Sequence, residues 1–198
     1  MKRSDLVQAQ SALDAAGKKR IRLTLIVMVT LLTVLSFLYL EYVWSRYQKT
    51  AETEAIVLAE TVESLLHAEH VASLTGKAED IDSPNYQLTK RSLMQLVQSS
   101  DQIRFAYLLA RKGDDPIFLI DSEPETSPDY SPPGQVYFEA TSEDMLPFTK
   151  GISVLTGPTK DRWGIWYSAL IPVKVSDGTE TIAALGIDYS VQEWNQRI

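Results

Sequence analysis

Two aspartates end two very apolar runs. Asp121 closes IFLI (117–120), and Asp188 closes the run that ends in Leu185-Gly-Ile. A carboxylate at such a place must find a hydrogen-bonding partner or give up its charge. It can recognise a cationic group such as an amine, or it can cap a turn. Tyr107 lies inside a third apolar run, IRFAYLLA (103–110). Its hydroxyl can bond a ligand, or the residue can be an ordinary half-buried strand tyrosine. Trp163, Trp166 and Tyr167 offer ring faces that attract ammonium groups. Neighbouring strand residues point to opposite faces, so Trp166 and Tyr167 do not line one pocket together. Trp166 and Ser168 share a face and form the better pair. Tyr130 and Tyr137 flank Pro132-Pro133-Gly134, where either can close a pocket or staple the loop to the domain.

Other chemistries find less support. His67 and His70 are the only histidines, three apart on a helical pattern, and H-E-x-x-H is absent. A full metal site needs more ligands than this pair. Asp121, Glu123, Glu125 and Asp129 lack EF-hand spacing. There is no cysteine, which excludes disulfides and thiolate sites. G-x-S-x-G, the P-loop and G-x-G-x-x-G are all missing. No enzyme active site and no cofactor is expected.

The elements that must position these residues follow from the periodicity. Residues 23–40 carry no charge and would span ~27 Å as a helix, close to the hydrocarbon thickness of a bilayer. The run is too long for a signal peptide, and no A-x-A pattern follows it. Few buried helices of soluble proteins are apolar all round for this length. A transmembrane helix over residues 23–43 is therefore expected, with Tyr39, Tyr42 and Trp44 at its interfacial end. Residues 1–22 hold six basic and two acidic side chains, which predicts a cytoplasmic tail. The rest, 44–198, is then exported. The chain's charge of −7 becomes −11 for residues 23–198, which argues against nucleic acid as a partner. A bacterial inner membrane with a periplasmic or extracellular domain fits a cysteine-free exported chain.

Beyond the membrane, Trp44, Tyr47, Ala51, Ala55, Leu58, Val62 and Leu65 form an apolar stripe at helical spacing. It predicts a long helix running out of the membrane to about Gly76, a conductor of displacement or a plain stalk, and a surface for a homodimer. Ser83-Pro84 opens a second helix, with Tyr86, Leu93, Leu96 and Val97 on its buried side. Residues 103–110 and 117–120 predict a hairpin around Lys112-Gly113-Asp114-Asp115. Residues 121–134 contain four prolines and form an irregular loop, of a length more often functional than idle. A short helix is expected over 142–148. Residues 163–175 and 180–189 form a second hairpin, turning at Ser176-Asp177-Gly178. Ser190-Val-Gln-Glu193 is a capping box for a last helix carrying Trp194. The class is α+β with an antiparallel sheet.

This order resembles the extracytoplasmic PAS-like sensor domains called Cache or PDC domains, found in bacterial histidine kinases and diguanylate cyclases. The phrases that carry the likeness are Arg104-Phe-Ala-Tyr107-Leu-Leu, Phe118-Leu-Ile-Asp121-Ser-Glu-Pro, Asp129-Tyr-Ser-Pro-Pro-Gly134, Trp163-Gly-Ile-Trp166-Tyr-Ser-Ala-Leu and Leu185-Gly-Ile-Asp188. They cover residues 45–198. The resemblance implies a five-stranded sheet that cups a small molecule beneath the loops. The pocket would then draw on Tyr107, Asp121, Trp166, Ser168 and Asp188, with Tyr130 as a lid. The ligand would be a small molecule such as an amine or amino acid. Binding would shift the helices and pass a signal through the membrane. The family continues through a second membrane helix to an output domain. The last helix meets no stop signal before Ile198, so a piece of a longer receptor is expected. The competing expectations are a single-pass envelope scaffold without a small ligand, and an anchored hydrolase, for which no catalytic groups are found.

Overall fold

The computed structural model describes residues 3–175, 178 and 180–197. They fall into two compact units, residues 1–48 and 49–198. Helix α1 (Arg3–Leu65) supplies residues to both. Within the first unit, the apolar side chains of residues 23–40 stand 49–66% exposed. That helix is long and apolar enough to cross a membrane. The Thr24 and Thr33 hydroxyls donate to the carbonyls of Arg20 and Val29, at 3.0 and 2.8 Å, so neither is left unbonded in an apolar medium.

The second unit is α+β. Its five strands are β1 (Phe105–Lys112), β2 (Asp115–Asp121), β3 (Val154–Lys160), β4 (Ile165–Lys174) and β5 (Thr181–Ser190). They form one antiparallel sheet in the order β2-β1-β5-β4-β3. The helices are the end of α1, α2 (Ala68–Ala72), α3 (Pro84–Gln98), α4 (Leu146–Lys150) and α5 (Val191–Arg197). Strand alternation sorts the sheet's side chains into two layers. One layer packs Leu108, Ile120, Ile171, Leu185 and Ile187 against Ala55 of α1, Val71 of α2, Tyr86 and Leu93 of α3, and Trp194 of α5. The other holds Phe105, Tyr107, Leu109, Phe118, Trp166 and Leu170, with Tyr137 from the loop above.

Local signals act as the sequence leads one to expect at several ends. The Ser83 hydroxyl accepts from Tyr86 N at 3.2 Å, with Pro84 in the first turn of α3. The Ser190 hydroxyl accepts from Glu193 N at 3.1 Å and opens α5. Trp194 stacks on Tyr167, ring centroids 4.7 Å apart, which puts Tyr167 on the face opposite Trp166. Two residues of the turn expected at Ser176-Asp177-Gly178, Ser176 and Asp177, lie outside the described residues.

One expectation is corrected. The long helix stops at Leu65 rather than near Gly76. Leu66 N bonds three residues back to Glu63 O, and His67 is extended, which redirects the chain so that α2 buries Val71. The stripe is also spent largely within the domain: Ala51, Ala55 and Ala59 are buried, and Leu58 and Val62 pack beside them. The sequence reading omits β3. β3 is an edge strand whose register shifts between Thr156 and Thr159, around Gly157-Pro158, and an irregular edge tolerates proline.

Candidate functional site

The layer built on Phe105, Tyr107 and Phe118 does not close completely. A cleft opens there between the sheet and the loop over 122–145. It encloses about 300 Å³ of non-atom space, open mouth included. Little of it is wide enough for a water molecule. The lining is aromatic and acidic. Phe105, Tyr107, Phe118, Tyr137 and Trp163 supply rings, Asp121, Asp129, Asp161 and Asp188 supply carboxylates, and Ser131 completes it. Among the described residues, no lysine, arginine or histidine lines it.

Asp188 is 5% exposed. It stands opposite Ser168 on β4 and Phe105 on β1. Tyr107 donates its hydroxyl to Asp188 Oδ1 at 3.0 Å, and the Ser168 hydroxyl also bonds the carboxyl. Burial pushes Asp188 up to about 7, the two hydroxyl donors oppose this, and the neighbouring Asp161 and Asp144 add to the rise. The same burial pushes the Tyr107 phenol well up, so Tyr107 is a donor at neutral pH.

Asp121 organises the loop. Its Oδ1 accepts from Glu123 N at 3.1 Å and its Oδ2 from Ser131 N at 2.8 Å. Burial raises it to about 6 against those two amides and the nearby Lys90. Phe118 and Asp121 are three apart on β2, and a regular strand would put them on opposite faces. The register slips by one residue between the Leu108 and Leu109 pairs, leaving Leu119 extra, and both side chains reach the cleft.

The remaining lining is held from outside. Asp161 Oδ1 accepts from Trp163 N at 2.8 Å, Gly164 N at 2.9 Å and Trp166 Nε1 at 2.9 Å. The Tyr137 hydroxyl reaches Asp161 Oδ2 at 3.4 Å. Arg104 donates to Glu123 at 2.6 Å and to Asp129 at 3.0 Å, lying over the Phe105 ring. Arg162 grips Glu139 through two nitrogens, at 2.8 and 2.9 Å, over the Trp163 ring. The buried Lys90 ammonium donates to the carbonyls of Asp121 (3.0 Å) and Glu123 (2.8 Å) and faces the Tyr130 ring at 4.5 Å.

Of the residues singled out in the sequence, Tyr107, Asp121 and Asp188 line the cleft together. Ser168 stands behind Asp188, and Trp166 stands behind Asp161. Tyr130 is drawn away, its hydroxyl 3.2 Å from that of Tyr86. Phe105, Phe118, Asp129, Ser131 and Asp161 were not foreseen as lining. Asp161 precedes an aromatic run and could have been read as its anchor. The Phe118–Asp121 pairing depends on the bulge and leaves no mark in the sequence. Among the described residues, no three His, Cys, Asp or Glu side chains gather to hold a metal ion. The acidic loop side chains Glu123 and Asp129 are engaged by Arg104, and the His67 and His70 rings lie 4.9 Å apart. No family model matches the chain, and no curated protein matches it either.

Proposed function

We propose that this chain is the sensing region of a bacterial membrane receptor of the Cache/PDC type. Its N-terminus is cytoplasmic, residues 23–43 cross the inner membrane, and the sheet domain faces the periplasm or the exterior. The cleft on the sheet takes a small molecule, and the chain works as a homodimer without catalysing a reaction. One observation carries this reading: buried carboxylates and aromatic rings converge between one face of the sheet and a proline-rich loop, with no basic side chain in the lining among the described residues. Of the four lining carboxylates Asp129 is already paired with Arg104, and the other three favour a cationic guest, such as an amine or the amino group of an amino acid. The guest acts by preferring one arrangement of loop and helices over another, and shifts the balance only by that preference. Lys90 ties α3 to the loop and gives the cleft a route to the helix layer.

A thermal-shift screen of the full chain in detergent, against amines, amino acids and organic acids, tests it. Stabilisation by an amine that is lost in Asp188→Asn is the expected result. No stabilisation by any class would sink the reading.

A second reading, an envelope scaffold that binds another protein, draws on two observations. The cleft is nearly filled by its own side chains, and Phe138 is 80% exposed beside it. It expects a silent screen and loss of partner binding in Phe138→Ser.

A further inference from the structure

Asp188 is a buried carboxyl with two neutral donors and, among the described residues, no counter-cation. Tyr107 on β1 and Ser168 on β4 bond it, and the other groups that face it, Asp161, Asp144 and Tyr137, are acidic or phenolic. The cations held around the cleft are committed elsewhere, Arg162 to Glu139 among them. Lys90 is spent on two backbone carbonyls, and Arg104 on Glu123 and Asp129. An ionised Asp188 would therefore be an uncompensated buried charge, which is costly. The closed cleft can avoid that cost in two ways, by keeping a proton on Asp188 or by admitting a positive group beside it. The part of the cleft that a water-sized group can enter is small, room for a head group rather than a whole molecule.

We propose that the cleft exchanges a proton for its guest: a primary ammonium takes its place beside Asp188 as the carboxyl's proton leaves to solvent. The net charge of the site is the same before and after. This rests on the amine reading above and adds to it that occupancy is coupled to pH. Burial holds Asp188 near 7, which sets the window. Below that pH, protons compete with the amine. Above it, the carboxylate is left without a counter-charge and the amine binds unopposed. Asp121, raised to about 6 in the same lining, shifts the lower end of the window in the same sense.

Ethanolamine, which stays protonated from pH 5 to 8, is the probe. Its affinity for the full chain in detergent is measured by calorimetry at each pH unit in amine-free buffers. The apparent Kd is expected to tighten by about tenfold per unit up to about pH 7 and then level. In weakly buffered solution at pH 6, about one proton should appear per ethanolamine bound. Asp188→Asn should bind more weakly and release none. The proton count on the unaltered chain decides the matter even if that variant does not fold. Equal Kd at pH 5 and pH 8 with no proton release overturns the exchange and leaves the amine reading standing. No ethanolamine binding at any pH overturns the exchange and the amine reading together.

Discussion

The ring of Tyr107 lies flat across Gly186. The two residues are register partners on β1 and β5, and a Cβ at Gly186 would overlap the ring. The bare backbone lets the ring pass over β5 and carries its hydroxyl to Asp188, two residues further on the same face. Gly186→Ala is expected to push the ring off the strand and break the Tyr107–Asp188 bond. Overpacking of this kind costs about 1–3 kcal/mol. Denaturant titration of the full chain checks the loss.

Tyr107→Phe removes only the hydroxyl. The volume is kept, so the expected loss of stability is small, about 1 kcal/mol. Asp188 loses a donor that favours its charged form, so it should titrate higher than in the unaltered chain. Carboxyl infrared bands followed against pH read that shift directly. An unchanged or lower titration point would contradict the assignment of Tyr107 as donor.

The empty domain should lose stability as pH rises from 5 to 8. Asp121 and Asp188 are raised in the fold, to about 6 and about 7. The folded state therefore binds their protons more tightly than the unfolded chain does. Their contribution is complete below the ordinary carboxylate range and is lost as pH climbs through those two values, by roughly 2–4 kcal/mol in all. Two carboxyls act in the opposite sense. Asp80 is buried, which raises it, but the amides of Thr75, Lys77 and Gly76 and the Thr75 hydroxyl hold it below its usual range. Glu139 is held low by its bond to Arg162. Their contributions disappear only in stronger acid, while Glu63 of α1, raised by burial and by Glu60 against Lys174, adds to the loss in the same sense as the two cleft carboxyls. Thermal unfolding across that window, without added amine, measures it. Flat stability would contradict the burial of these carboxyls as ionisable groups.

Lys90 and Arg104 both hold the loop, and they should differ in weight. The Lys90 ammonium is buried and bonds two carbonyls. Lys90→Met leaves both acceptors without that donor and should cost about 1–3 kcal/mol. The Arg104 side chain is 40% exposed, so Arg104→Ala should cost about 1 kcal/mol or less. Amide exchange over residues 122–131 should quicken in both variants, and more in Lys90→Met.

The elements that carry the cleft were legible because they are strongly patterned. IRFAYLLA and IFLI could hardly be other than strands, and Ser83-Pro84 and Ser190 mark helix starts that the fold uses. The alternation of Trp166, Tyr167 and Ser168 also placed Tyr167 apart from the other two. What the sequence concealed depends on tertiary geometry. The extra residue at Leu119 turns both Phe118 and Asp121 into one cleft, and no composition signal marks it. β3 is a short edge strand interrupted at Gly157-Pro158, and it carries no clean alternation to mark it. Lys90 carries no signal of its role, because nothing in α3 alone says that two carbonyls wait above it.

The claim that the cleft receives a small molecule is tested most directly by amide exchange. The full chain in detergent is compared with and without the screened compound that stabilises it most. Protection is expected over residues 105–108, 121–131 and 186–189, the three stretches that bring Tyr107, Asp121 and Asp188 together. Protection confined to other segments, with these three unchanged, would contradict the account.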